Sequence, residues 1–197
     1  MTFKVCCLCS LLAISLQSFS QTKVTDTDLL PGARVLFKDV KTAISSTDKN
    51  QIYKLLGFGL SKDKKSFVIE GDSDEPDHLF TATAFPCDLN NDGKEELFVS
   101  FGNSYTSGMT GVSIVLFIKG KDKFQSNLGF PGIAQVLKTR NMNYPDLVIG
   151  GPGFEFPIWR WDGKEYQFYR KISDKNLVAL KPINIEDISK KYSGTLK

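Results

Sequence analysis

The stretch Asp88-Leu89-Asn90-Asn91-Asp92-Gly93-Lys94-Glu95-Glu96-Leu97-Phe98-Val99 joins an oxygen-rich loop to an apolar run. Counting Asp88 as the first position, side-chain oxygens fall at the first, third and fifth. Gly93 at the sixth permits a sharp turn, and the carbonyl of Lys94 is available at the seventh. Short loops wrap hard divalent cations in this way, with alternate side chains pointing inward and a backbone carbonyl filling a gap. A mixture of charged and neutral oxygens suits calcium better than a softer metal. The twelfth position is Val99, where an EF-hand needs a glutamate, and the flanks read as strand rather than helix. Glu96 is therefore the expected late ligand, which makes Asp88, Asn90, Asp92, Lys94 (by its carbonyl) and Glu96 the candidate calcium set. The alternative is a turn that holds nothing, because Asn and Asp favour turns on their own account.

Working outward, the hydrophobic period changes from about 3.6 to 2 near residue 60. Before that point, Leu36, Val40, Ala43 and Ile44 sit at helical spacing over 33–44, with a strand at Val35–Phe37 as the competing reading. A second helix is expected over 48–56, capped by Asp48, buried through Ile52, Leu55 and Leu56, and ended by Gly57. Beyond it, strands are expected at 66–70, 79–85 and 97–101. Residues 113–119 and 123–125 flank the turn Gly120-Lys121-Asp122, and 157–161 and 166–171 flank Asp162-Gly163, a strong hairpin signal. Residues 147–149 are fully apolar. A last helix is expected over about 184–191, with Ile185, Ile188 and Tyr192 on one side. The fold class is thus α+β and β-rich, with antiparallel sheet units at about 79–125 and 144–172 and helices near both ends.

The loop in the form Asp-x-Asn-x-Asp-Gly-x-x-Glu-Leu, followed by an apolar strand, resembles the FG-GAP and VCBS-type repeats of extracellular β-propeller proteins. The resemblance covers about a dozen residues. It implies a calcium loop feeding a sheet. A weaker copy stands at Tyr144-Pro145-Asp146-Leu147-Val148-Ile149-Gly150-Gly151, offset by 50 residues when Asp146 is set against Glu96. There the ligand positions hold Lys138, Arg140 and Met142, so one cation site is expected, not two. Two such units resemble partial propeller-type repeats and are too few to close a ring, which needs about four blades.

The first twenty residues carry Lys4, an apolar run from Val5 to Leu16 and small residues at Ser18 and Ser20. These are the three regions of a secretory signal with a cut expected after Ser20, and the run is too short to span a bilayer. Residues 21–197 are then a single β-rich domain, exported to the periplasm or the cell exterior. Removing one lysine and no acid takes the net charge from +3 to +2. So small a charge gives no electrostatic case for nucleic acid or an anionic membrane as partner, and no later segment reads as a membrane span. Three of the four cysteines leave with the signal, so Cys87 has no partner for an internal disulfide.

Other residues are weaker candidates. Asp72, Asp74, Glu75 and Asp77 form an acidic stretch that reads first as a solvated loop. Strand alternation puts Trp159 and Trp161 on one face. With Phe154 and Phe156 they make either a ligand platform for glycan or protein, or simply core. His78 and Cys87 lack an orienting third group for nucleophilic catalysis, and the adjacent Glu95 and Glu96 point to opposite faces of a strand, unlike a glycosidase pair. These features favour a calcium-binding-type binding or scaffold module without catalysis. The alternative is a secreted hydrolase or hydrolase inhibitor using carboxylates such as Asp72, Asp74 or Glu155.

Overall fold

The computed structural model describes residues 28–196; the signal-like segment 1–20 lies outside them. The chain opens with two helices, α1 (Pro31–Leu36) and α2 (Ser46–Leu56). Pro31 occupies the first turn of α1, where its missing N–H costs nothing. This helix stops well short of residue 44, because Asp39 turns the backbone to φ 61°. Helix α2 starts slightly earlier than the spacing suggests. Ser45, not Asp48, is the cap and accepts from the Asp48 N–H at 3.1 Å, while the Asp48 carboxylate receives Lys119 Nζ at 2.7 Å. Gly57 ends it in the left-handed conformation at φ 65°. A small antiparallel arm follows, β1 (Phe58–Leu60) with β2 (Phe67–Ile69).

The body is two antiparallel four-stranded meanders. The first runs β3 (Thr81–Cys87), β4 (Glu96–Gly102), β5 (Ser113–Lys119) and β6 (Phe124–Pro131), with the short helix α3 (Ser104–Ser107) between β4 and β5. The second runs β7 (Ile133–Asn141), β8 (Tyr144–Gly150), β9 (Glu155–Trp161) and β10 (Tyr166–Ser173). Helix α4 (Asp174–Ala179) follows, then β11 (Ile183–Asn184), which pairs on the outer edge of β7, and α5 (Ile185–Ser193). Among the described residues neither sheet closes on itself.

Each unit is larger than the sequence suggests. Strand β7 escapes a reading by alternation because Ala134, Val136 and Leu137 are buried while Lys138, Thr139 and Arg140 stand exposed, and its register with β8 slips between Val136 and Arg140. Its link to β8 is the two-residue turn Met142-Asn143, both at positive φ (47° and 70°), the hairpin turn whose twist suits antiparallel strands. The second unit therefore has a tight turn where the first has the acidic loop. Lys138 and Arg140 lie on a strand and could not have formed a second cation loop.

The core is layered. Leu97 and Val99 face a cluster with Leu36, Ile52, Phe67, Phe80 and Phe117, which seats α1, α2 and the β1–β2 arm. Phe98, Ile114, Leu116 and Leu128 face the second sheet and meet Ala134, Leu147, Ile149 and Trp161. Val148 and Ile158 face away from the first sheet and pack with Leu137, Ile172 and Leu177 of α4. At the 50-residue offset, Phe98 corresponds to Val148. Phe98 points toward the second unit and Val148 points onward, away from the first. Equivalent faces of the two units thus look the same way, and the sheets stack head to tail.

The chain passes between sheets at Pro131-Gly132-Ile133. Gly132 has φ 138°, and a Cβ there would stand 2.5 Å from the Gly150 carbonyl oxygen. Such a position is strained for any L side chain and sterically closed as well. We expect Gly132→Ala to lower stability by about 2–4 kcal/mol in urea denaturation. Gly120→Ala, whose Cβ would meet only Lys123 O at 3.6 Å, should stay within about 1 kcal/mol of the parent.

Candidate metal centre

The loop between β3 and β4 folds around its own amides. Asp88 accepts from the Asp92 N–H at 3.0 Å through Oδ1 and from the Gly93 N–H at 2.9 Å through Oδ2. Asn90 Oδ1 also accepts from the Asp92 N–H at 3.0 Å, and Asp92 Oδ1 accepts from the Lys94 N–H at 2.8 Å. The curl is possible because Asn91 (φ 59°) and Gly93 (φ 82°) take left-handed backbone, which Asn and Gly tolerate. Asp88, Asn90 and Asp92 are thus drawn together over three consecutive amides.

Glu96 is positioned differently. It is the first residue of β4, paired opposite Cys87, and only 2% exposed. Its Oε2 accepts from the Leu89 N–H at 2.7 Å, which ties it to the loop; its Oε1 accepts from the Tyr144 hydroxyl of β8 at 2.9 Å. Burial raises its carboxyl strongly. The Leu89 and Tyr144 hydrogen bonds work against that, Asp88 and Asp92 add to it, and the net value is about 7. Burial, and then the Glu96 carboxylate, also push the Tyr144 hydroxyl upward.

Residues from other elements hold the loop. Arg140 Nη1 on β7 donates to the Leu89 carbonyl at 2.9 Å and to the Asn143 carbonyl at 2.6 Å. Glu95 turns the other way from Glu96. It accepts from the Ala43 N–H at 2.8 Å and from the Thr42 hydroxyl, and it takes the Tyr192 hydroxyl of α5. Neither Arg140 nor Tyr144 could be found by counting along the loop, since both come from the second unit and meet it only through sheet stacking.

The donor set suits a hard divalent ion. Each carboxylate oxygen that accepts one N–H retains lone-pair capacity, and Asp92 Oδ2 is met only by the Asn90 amide at 3.1 Å. Among the described residues, no three Asp, Glu, His or Cys side chains converge into a ready-made cluster. The loop gathers Asp88, Asn90 and Asp92, and Lys94 stands at its exit with its N–H on Asp92. Glu96 is linked to the loop through Leu89 but turned toward Tyr144. Bound calcium would supply a positive charge favouring the ionised form of Glu96 over its buried neutral form.

The remaining candidates are dispersed. Trp161 is buried and stacks on Tyr144 with centroids 4.3 Å apart. Trp159 is half-buried and stacks on Phe130 at 4.5 Å, with Phe168 edge-on at 6.3 Å. Phe156 is half-buried beside the outer cluster, while Phe154 is 89% exposed on a loop. The four do not share one surface, and Phe130, which the alternation pattern did not single out, is the ring that meets Trp159. Asp74 accepts from the Lys62 N–H at 2.8 Å in the β1–β2 arm, whereas Glu155 lies on β9 in the second sheet. His78 stacks on Tyr105 at 4.1 Å and bonds Ser73, while the buried Cys87 thiol points to the Glu96 carbonyl at 3.6 Å. Burial, then the carboxylates of Glu96, Asp88 and Glu95, push that thiol well above its ordinary range, the reverse of an activated nucleophile.

No known protein family, characterised protein or solved structure matches the chain.

The Glu96 environment fixes a pH dependence. Its folded value of about 7 lies above the ordinary 4.5, so the folded chain holds the proton more tightly than the unfolded chain. The stability linked to that proton is fully present below about pH 4.5 and is lost as pH rises through about 7. In chelator, Glu96→Gln should flatten that window, which spans about 3 kcal/mol in the parent. Urea melts between pH 4 and pH 8 (about half-unit steps) check this; equal slopes in parent and variant would contradict it.

Proposed function

We propose that the protein is an exported binding or scaffold module without catalytic activity, built from two partial propeller-type repeats and stabilised by one calcium ion. The observation that carries this reading is the loop itself. Asp88, Asn90 and Asp92 curl over the amides of residues 92–94, and Arg140 and Tyr144 of the second unit grip the same segment. An ion held there would brace both sheets at their junction, which is a structural role. The head-to-tail stacking of equivalent faces supports the repeat reading.

The buried carboxylates are also engaged internally. Asp146, 2% exposed, receives Arg160 Nε at 2.8 Å and Nη2 at 2.7 Å. Burial raises the Asp146 carboxyl, but hydrogen bonds from Arg160 and Thr139 and the charges of Arg160 and Arg170 outweigh it and hold it below the usual range. Glu95 and Glu96 are similarly committed. These are the bonds of a scaffold. Among the described residues no helix is long and apolar enough to cross a membrane.

The decisive experiment is thermal melting of the processed protein with calcium and with chelator. At a calcium concentration about a hundredfold above the dissociation constant, a bound ion adds about 2.7 kcal/mol and raises Tm by several degrees. Asp88→Ala should erase the difference. A parent protein with identical melts in both conditions would reduce the loop to an Asx-rich turn. Export is checked by N-terminal sequencing of protein recovered outside the cytoplasm, expected to begin at Gln21.

A further inference from the structure

A cavity of about 460 Å³, a size typical of ligand sites, lies between α5, β7 and the start of the acidic loop. Its wall is apolar at Leu89, Val136, Ile183 and Ile188. Four charged side chains also line it, two of each sign: Asp88 and Asp187, Arg140 and Lys191. Asp88 is committed to the amides of Asp92 and Gly93. The other three have capacity to spare. Arg140 uses Nη1 alone, on the carbonyls of Leu89 and Asn143, so its guanidinium is fixed in place with Nε and Nη2 unspent. Asp187 and Lys191 stand one turn apart on α5, a spacing at which acid and base commonly pair. Among the described residues, neither of them has a hydrogen bond or an ion pair to any group.

The lining restricts the occupant. A molecule that fills the cavity takes these charged heads out of water, and a desolvated charge must meet a counter-charge. A plain anion would satisfy Arg140 and Lys191 but leave Asp187 facing a like charge. A plain cation would do the reverse. A neutral apolar molecule would suit the walls and leave all three charges unmet. A zwitterion with an apolar body answers each group. Its length follows from the helix: four residues at about 1.5 Å rise set Asp187 and Lys191 about 6 Å apart along α5. The ammonium and carboxylate of a free amino acid are separated by a single carbon, which is too short. Two residues of extended chain, at about 3.4 Å each, reach about 7 Å.

We propose that this cavity binds a dipeptide with apolar side chains, its ammonium on Asp187, its carboxylate between Lys191 and Arg140, and its side chains against the apolar wall. This rests on the binding-module reading and gives that module its ligand class. Arg140 then has two tasks: one nitrogen holds the acidic loop, and the others meet the ligand.

The test is calorimetric titration of the processed protein in calcium with leucyl-leucine, which should bind saturably. N-acetyl-leucyl-leucine lacks the ammonium and leucyl-leucinamide lacks the carboxylate, so each should bind about tenfold more weakly. Glycyl-glycine, with nothing to lay on the apolar wall, should also bind more weakly. Asp187→Asn and Lys191→Ala should each weaken leucyl-leucine about tenfold, whereas Asp187→Asn should not weaken the acetylated form. Both positions are exposed on α5, so both variants should keep the parent melting profile, which separates a lost contact from a lost fold. No saturable binding of leucyl-leucine, equal affinity for a blocked form, tighter binding of free leucine, or unchanged affinity in either variant would each overturn the proposal. A Tm raised by calcium with no dipeptide bound would remove the ligand and leave the ion-braced module standing. Chromatography of the same mixtures reads the opposite case: released leucine would overturn the non-catalytic assignment while leaving the cavity as the peptide site.

Discussion

The structure depends on a carboxylate placed where it cannot be solvated. Glu96 opens the first strand after the loop, at 2% exposure, between two sheets that otherwise meet through Phe98, Leu116, Leu147 and Trp161. A buried carboxyl needs hydrogen bonds, a proton or a cation. The hydrogen bonds come from two directions: the Leu89 N–H, which fixes the start of the loop, and the Tyr144 hydroxyl, which fixes the start of β8. One side chain therefore sets the register of the loop on its own sheet and the seating of the second sheet upon it. Arg140 reinforces the arrangement by capping the Leu89 carbonyl that the loop leaves outward. The acidic loop is consequently part of the junction between the two units.

The second unit meets the same requirement by other means. Asp146 occupies the position corresponding to Glu96, and it too is 2% exposed. Because equivalent faces look the same way, it points away from the first sheet. Its counter-charge is the guanidinium of Arg160, held by two hydrogen bonds and lying 3.7 Å over the Tyr169 ring. A carboxylate with a built-in cation needs no loop to recruit one, and here the connection has shrunk to Met142-Asn143. The first unit has no arginine on Glu96, and it has the long, oxygen-rich connection. The charges of Asp88 and Asp92 in that connection disfavour the ionised form of Glu96, so where Asp146 is held charged by its guanidinium, Glu96 is pushed toward its protonated form.

Much of the fold was legible because its signals are local. Gly57 ends α2 as a left-handed residue should, and residues 113–119 form the strand that their place before the Gly120-Lys121-Asp122 turn suggests. Asp162 organises its turn by accepting from the Lys164 and Glu165 N–H groups at 2.8 and 2.9 Å. What was not legible is non-local. Strand β7 carries polar residues at its exposed end, so its period is blurred. The early end of α1 turns on one backbone torsion at Asp39. Trp161 reads as core, with a ligand platform as the rival reading, until the second sheet is seen stacked against the first. The oxygen donors of the loop were visible by spacing alone, but the inward turn of Glu96 toward Tyr144 depends on a residue 48 positions away.

The seam where the chain crosses between sheets has a consequence for packing. Gly132 must adopt a conformation that leaves no room for a side chain, with the Gly150 carbonyl directly beside it. The glycine and proline residues that follow at 150–153 supply few side chains to fill the space between β6 and β9. Phe130 covers one face of Trp159 from across the gap, but a phenyl ring offers no acceptor, so the indole N–H stays unmet. A phenylalanine at 159 would remove the orphaned donor, but it would also give up part of the packing that the indole makes with Phe130, Phe168 and the inter-sheet core.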